Sequence, residues 1–185
     1  MSQIRGQAIV TTRLTLSEVN ALNREGFVEA LGAIFEGSPW IVEQAWQARP
    51  FRSIERLHQA MCDVMYHAPR EQQVALIRAH PDLVGRAALS GTLTPTSQDE
   101  QASAGLDRLS PDEIATFTRL NSAYRQRFGF PFVICARENK LESILAGFAT
   151  RLEHTREQEI ATALDEIARI ARLRLQDRVT SDVIQ

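Results

Sequence analysis

Along most of this chain apolar residues recur three and four positions apart, and only one short run reads as a strand. That run, Phe132-Val133-Ile134-Cys135-Ala136, carries β-branched residues at its centre and follows the chain-breaking Gly129-Phe130-Pro131. A lone five-residue strand has nothing to pair with. It reads as a buried extended segment between helices, with a misread helix start as the alternative. The fold class is therefore all-α, a single-domain helical bundle with one short extended segment near 132–136.

Helix starts are marked where a hydroxyl at N-cap and a carboxylate three residues on each satisfy an otherwise orphan amide. Thr15…Glu18, Ser97…Glu100 and Ser110…Glu113 have this form. Ser110 is also followed by Pro111, whose missing N–H costs nothing at the first helical position, so a helix is expected from there through Tyr124, with Phe117, Leu120 and Tyr124 on one face. The apolar spacing predicts further helices over Phe27 to Phe35, Ile54 to Met65, Val74 to Ala79, Leu141 to Leu152 and Ile160 to Leu175. There is no internal repeat and no low-complexity linker.

Several functions are disfavoured by composition. A net charge of −2 over 185 residues offers no broad attraction to phosphate backbones or acidic membranes, so neither nucleic acid nor a membrane is an expected partner. Cys62 and Cys135 are the only cysteines and form no Cys-x-x-Cys or Cys/His cluster, which points away from disulfides and zinc and toward a reducing compartment. No histidine pair has metal-ligand spacing, so no metal is expected. Met1 to Thr12 lacks the apolar core of a secretory signal, no run of about 18 apolar residues occurs, and the last residues match no peroxisomal address. Cytoplasm is the default expectation.

Four places have the residue types for chemistry. His80 stands between the helix ending at Ala79 and Pro81, which biases the preceding residue out of the α region. At a helix C-terminus the dipole favours imidazolium, which suits general-acid work; a capping or core histidine is the alternative. Ser97-Gln98-Asp99-Glu100-Gln101 opens a helix whose free amides, hydroxyl and carboxylate can bind a small polar ligand, although a plain capping box explains Ser97 and Glu100 equally well. If this is a site, Glu100 has to be partly diverted from capping. The backbone of Phe132 to Ala136, unpaired in a sheet, leaves N–H and C=O groups for a planar ureido ligand or for helix termini. On the last helix Ile160, Ala163, Leu164, Ile167, Ile170 and Ala171 form one stripe that Arg174 continues, while Arg169 and Arg172 fall outside it. A buried Arg174 must meet a protein carboxylate or an anionic substrate, unless its stem packs and its head reaches water.

Taken together, Ala79-His80-Pro81-Asp82-Leu83-Val84-Gly85, Ser97 to Gln101, Leu120-Asn121-Ser122-Ala123-Tyr124 and Phe128-Gly129-Phe130-Pro131-Phe132 through Ala136 resemble the 2-oxo-4-hydroxy-4-carboxy-5-ureidoimidazoline decarboxylases of oxidative urate degradation. The likeness extends to Glu166-Ile167 and Arg174-Leu175 and covers residues 14–178, leaving 1–13 as an N-terminal extension and 179–185 as a C-terminal tail. It implies an all-α homodimer with no metal or organic cofactor, releasing carbon dioxide and (S)-allantoin. It makes His80 the catalytic acid with Glu100 as partner. Substrate contacts are implied for Pro81, Ser97, Gln98, Asp99, Glu100, Gln101, for Phe132, Val133, Ile134, Cys135 and Ala136, and for Arg174. A cofactor is dispensable for such a substrate because its carboxylate sits beside a ring carbon–nitrogen double bond that accepts the electron pair. The competing readings are a non-enzymatic helical interaction module and hydrolysis of the related hydroxyisourate ring.

Overall fold

The computed structural model describes residues 13–182. The expected N-terminal extension lies, apart from Arg13, outside those residues. Among the described residues ten α-helices follow one another: α1 Leu16–Ala21, α2 Arg24–Leu31, α3 Pro39–Ala45, α4 Ile54–His67, α5 Arg70–Ala79, α6 Arg86–Leu89, α7 Pro95–Ser103, α8 Pro111–Phe128, α9 Leu141–Arg151 and α10 Arg156–Arg178. Short 3-10 turns at Gly32–Ile34, Trp46–Ala48 and Ala136–Glu138 join some of them. The all-α expectation is met. Among the described residues the only sheet is a two-residue parallel pair, β1 Leu14–Thr15 against β2 Val179–Thr180, with Leu14 opposite Val179. The buried Val179, which the sequence reading leaves in the tail, thereby closes the end of the domain.

The longest helix, α10, organises the rest. Its predicted stripe is buried from Ile160 through Leu175, and α4 and α5 pack against it while α3 covers α4 and α2 covers α3. Capping boxes at Thr15 and Ser110 form as expected, and Thr155 with Gln158 adds a third at the start of α10. The helix from Pro111 runs one turn beyond Tyr124 and stops where Gly129 takes a left-handed φ of 78°, its N–H returning to the Arg125 carbonyl at 2.8 Å. Phe132 to Cys135 then cross the core outside any helix or sheet, and Ala136, the last residue of the expected extended segment, instead opens the Ala136–Glu138 turn. Phe132 stacks on Phe148 of α9 with centroids 3.8 Å apart, and Gly147 makes room for that ring. No described helix is long and apolar enough to cross a membrane.

Candidate active site

His80 caps α5. Pro81 forces it into an extended conformation, φ −75° and ψ 141°, and its N–H returns to the Ile77 carbonyl. Its Nδ1 donates to the Leu76 carbonyl at 3.0 Å, so the neutral ring carries its proton there and keeps Nε2 as acceptor. The ring is buried. Burial pushes it down to about 4 and Arg174 pushes the same way, against the Leu76 carbonyl and Glu36. Desolvation thus opposes the helix dipole, which by itself favours imidazolium. A dipole at a helix end contributes about 0.3–1 kcal/mol. Lowering a histidine from 6.5 to about 4 corresponds to about 3 kcal/mol, so desolvation wins.

The turn after His80 is strained and tied down. Val84, a β-branched residue, has φ 51°, a conformation costing about 1–3 kcal/mol. Gln101 holds this turn from one side: its Oε1 accepts the Val84 N–H at 3.0 Å and its Nε2 donates to the Asp82 carbonyl at 3.5 Å. From the other side the buried Asn121 donates to the Leu83 carbonyl at 2.8 Å, and Arg125 Nε meets both Asp82 carboxylate oxygens at 2.9 Å.

At α7 the structure departs from the expected capping box. The N-cap is Thr94, whose hydroxyl accepts the Ser97 N–H at 3.2 Å, because Pro95 is the better first helical residue and starts the helix earlier. Ser97 is therefore buried within the first turn, and Glu100 is released from capping to face Arg174. Arg174 gives Nε and Nη2 to the two Glu100 oxygens, each at 2.7 Å, and Nη1 to Glu36 Oε2 at 2.9 Å. Longer bonds of 3.4 Å reach the Ile34 carbonyl and Ser97 Oγ, so all five guanidinium donors are engaged by the protein. Of the alternatives for a buried Arg174, the protein carboxylate is the one realised.

The extended segment is held from behind. Arg151 of α9 donates to the Val133 carbonyl at 2.7 Å and Glu166 of α10 accepts the Cys135 N–H at 2.8 Å. Arg151 is itself locked by Glu159, which also takes His154 Nδ1 and the Tyr124 hydroxyl. Among the described residues the N–H groups of Val133, Ile134 and Ala136 have no protein acceptor.

These parts line one small pocket of about 40 Å³. His80, Pro81 and Leu83 form one wall, Ser97, Glu100 and Gln101 a second, and Phe132, Val133, Ile134 and Ala136 a third, closed by Ile170 and Arg174. Three expected contact residues lie elsewhere. Gln98 faces a groove beside Leu93 and Leu106, Asp99 an outer cleft with Arg137 and Arg178, and the Cys135 side chain points into the core, where burial pushes its thiol up to about 11. Periodicity gave no access to Glu36 and Asn121. The available signals were a lone carboxylate in the apolar stretch Ile34-Phe35-Glu36-Gly37-Ser38-Pro39, and a polar Asn121 on the face of α8 shared by Phe117 and Tyr124.

The sequence profile of the OHCU decarboxylase family matches residues 20–176. The 2-oxo-4-hydroxy-4-carboxy-5-ureidoimidazoline decarboxylase of Haloferax volcanii is 46% identical over 169 residues, covering 91% of this chain and 98% of its own. The protein of that name from Halalkalicoccus jeotgali is 43% identical, covering 90% of this chain and 92% of its own. Among solved structures, (S)-allantoin synthase superposes with a TM-score of 0.71 at 26% identity over 90% of this chain, which spans about half of that protein, 54% of its length.

Proposed function

This chain belongs to the OHCU decarboxylase family, and we propose that the cavity beside His80 is where its substrate loses carbon dioxide. The protein is a carboxy-lyase that decarboxylates 2-oxo-4-hydroxy-4-carboxy-5-ureidoimidazoline in urate degradation. The observation that carries the site reading is that His80, Glu100 and the residues Phe132, Val133, Ile134 and Ala136, whose N–H groups have no acceptor among the described residues, line one small pocket. Among the described residues only Tyr66 and Leu89 are large apolar side chains left exposed, which gives an interaction module little to work with.

The bond from the ring to the carboxylate breaks, and its electron pair forms a double bond between the two ring carbons. The π pair of the carbon–nitrogen bond moves onto nitrogen, which takes a proton from water. The resulting enol becomes the product when the ureido-bearing carbon gains a proton and the hydroxyl loses one. Positioning and one-sided proton delivery are the whole of the protein's task. His80 supplies the proton to carbon. Glu100, each of whose oxygens holds one Arg174 N–H and keeps a lone pair, accepts from the substrate hydroxyl. The amides of Val133, Ile134 and Ala136, with Ser97, hold the ureido arm.

A neutral His80 carries its one proton on Nδ1, held by the Leu76 carbonyl, and has none on Nε2 to give. The substrate carboxylate supplies the remedy, since a negative charge brought into the same enclosed space favours imidazolium. Substrate binding is therefore coupled to proton uptake by His80. Delivery to one face yields (S)-allantoin, whereas spontaneous decay yields a racemate. The decisive experiment feeds freshly generated substrate to wild type and His80→Asn and follows the optical activity of allantoin. The variant should fold, lose the enantiomeric excess and turn over at least about 10²-fold more slowly. Near-normal turnover in folded His80→Asn would rule out the acid role. On the family resemblance we also propose a cytoplasmic homodimer, which sedimentation should report as twice 20.8 kDa.

A further inference from the structure

We propose that Glu36 is a positioning residue of the decarboxylation, anchoring Arg174 and Ser97 from the side opposite Glu100 and furnishing the counter-charge against which His80 carries its proton. The inference rests on the reading of His80 as the acid. Glu36 lies in the corner between the Gly32–Ile34 turn and α3. The corner is pressed onto the end of α5: Gly37 has φ 58°, and a Cβ there would stand 3.2 Å from the Cβ of Ala79, the residue before His80. Only glycine allows this approach without strain. It brings Glu36 Oε2 to 2.9 Å from Arg174 Nη1 and 3.3 Å from Ser97 Oγ.

The charges explain why a second carboxylate is there. Glu100 alone neutralises Arg174 through a bidentate pair. Glu36 then leaves the group one negative charge in excess while His80 is neutral, and balanced once His80 is protonated. The other groups facing the ring do not replace it. Arg174 on α10 opposes the imidazolium, the Leu76 carbonyl on α5 supports it without a net charge, Glu100 on α7 is spent on Arg174, and the Cys135 thiol beside the third wall is held neutral by burial. When the substrate carboxylate arrives, Glu36 adds to its push on His80 and the ring takes up a proton. Without Glu36 the same carboxylate would meet a neutral ion pair, and the uptake would be weaker.

The test is the pH dependence of kcat in wild type, His80→Asn, Glu36→Gln and Glu36→Asp. In wild type kcat should fall on the alkaline side as bound-state imidazolium deprotonates, and His80→Asn should abolish that limb. Glu36→Gln keeps an accepting oxygen but not the charge. Losing a nearby negative charge makes imidazolium easier to deprotonate, so its alkaline limb should move about one pH unit lower. Glu36→Asp keeps the charge and should leave the limb close to the wild-type position. A limb that does not move in Glu36→Gln, or that moves equally far in both variants, overturns the assignment to Glu36 and leaves His80 as the acid. A wild-type profile with no alkaline limb dependent on His80 overturns the acid reading instead.

Discussion

Arg151 and Arg174 are both buried arginines bonded to a carboxylate through two nitrogens, and each helps to hold a wall of the same cavity. Their surroundings differ. Arg151 meets Glu159, which is fully buried, and lies over the Phe132 and Tyr124 rings, so that only His154 at the edge of the cluster keeps part of its exposure. Arg174 meets Glu36 and Glu100, whose side chains keep 14% and 12% of their exposure, and it borders both the cavity and an outer cleft. The first is a pairing in which every charge has been used by the fold. The second carries a surplus carboxylate at the edge of empty space. Two clusters with the same chemistry thus divide by whether a ligand can reach them.

That division is broken most directly by removing each arginine. Arg151→Met leaves Glu159 buried without its strong partner, which should cost about 3–5 kcal/mol and lower Tm by about 10 °C in a chain of this length. Arg174→Met leaves two carboxylates that water can reach, so urea unfolding should show a smaller loss. Its turnover, however, should drop about 10²-fold, because Ser97 and Glu100 lose their common anchor and small displacements at a reacting centre are costly. If Arg174→Met is the less stable of the two and the folded variant keeps its kcat, the comparison fails.

His80 sharpens it from the side of protonation. Its folded value of about 4 lies below the ordinary 6.5, so between those limits the unfolded chain binds the proton more readily. The stability due to a neutral buried ring is complete above pH 6.5 and is lost as pH falls toward and through 4, about 3 kcal/mol across the window. His80→Asn removes this dependence. Urea midpoints at pH 7, 5 and 4 should therefore converge between variant and wild type relative to their separation at pH 7. Parallel curves would mean that the folded ring is already charged and needs no substrate to protonate it.

How far these features could be read beforehand depends on the range of the interactions that decide them. The caps at Thr15 and Ser110, the break at Gly129 and the apolar stripe of α10 are local and were legible. So was the placing of His80 at a helix end, because Pro81 decides it alone. The capping box at Ser97 failed through competition: Thr94 with Pro95 offers an earlier start, and Arg174 claims the carboxylate that a cap would use. The charge of His80 is not legible locally, because desolvation depends on which helices close over it, and the local dipole is the smaller effect. Glu36 was beyond reach, since it meets Arg174 across 138 positions and only the packing of Gly37 on Ala79 brings it there.

Asn121 provides the finest test of the same distinction, because it is buried like the Arg151 cluster yet serves the turn beside the cavity. Its Nδ2 holds the Leu83 carbonyl, while its buried Oδ1 has no partner among the described residues. In Asn121→Leu the Leu83 carbonyl loses its donor, a loss of about 1–3 kcal/mol, but the unpaired oxygen disappears and an apolar side chain of similar size takes its place. The net cost should be only about 1 kcal/mol. The strained Val84 turn, with one of its ties cut, should relax and carry Pro81 with it, so kcat should fall about tenfold while Arg151→Met loses chiefly stability. A stability loss as large as that of Arg151→Met, with kcat unchanged, would place Asn121 among the groups that serve the fold alone and leave the His80 turn to be held by Gln101 and Arg125.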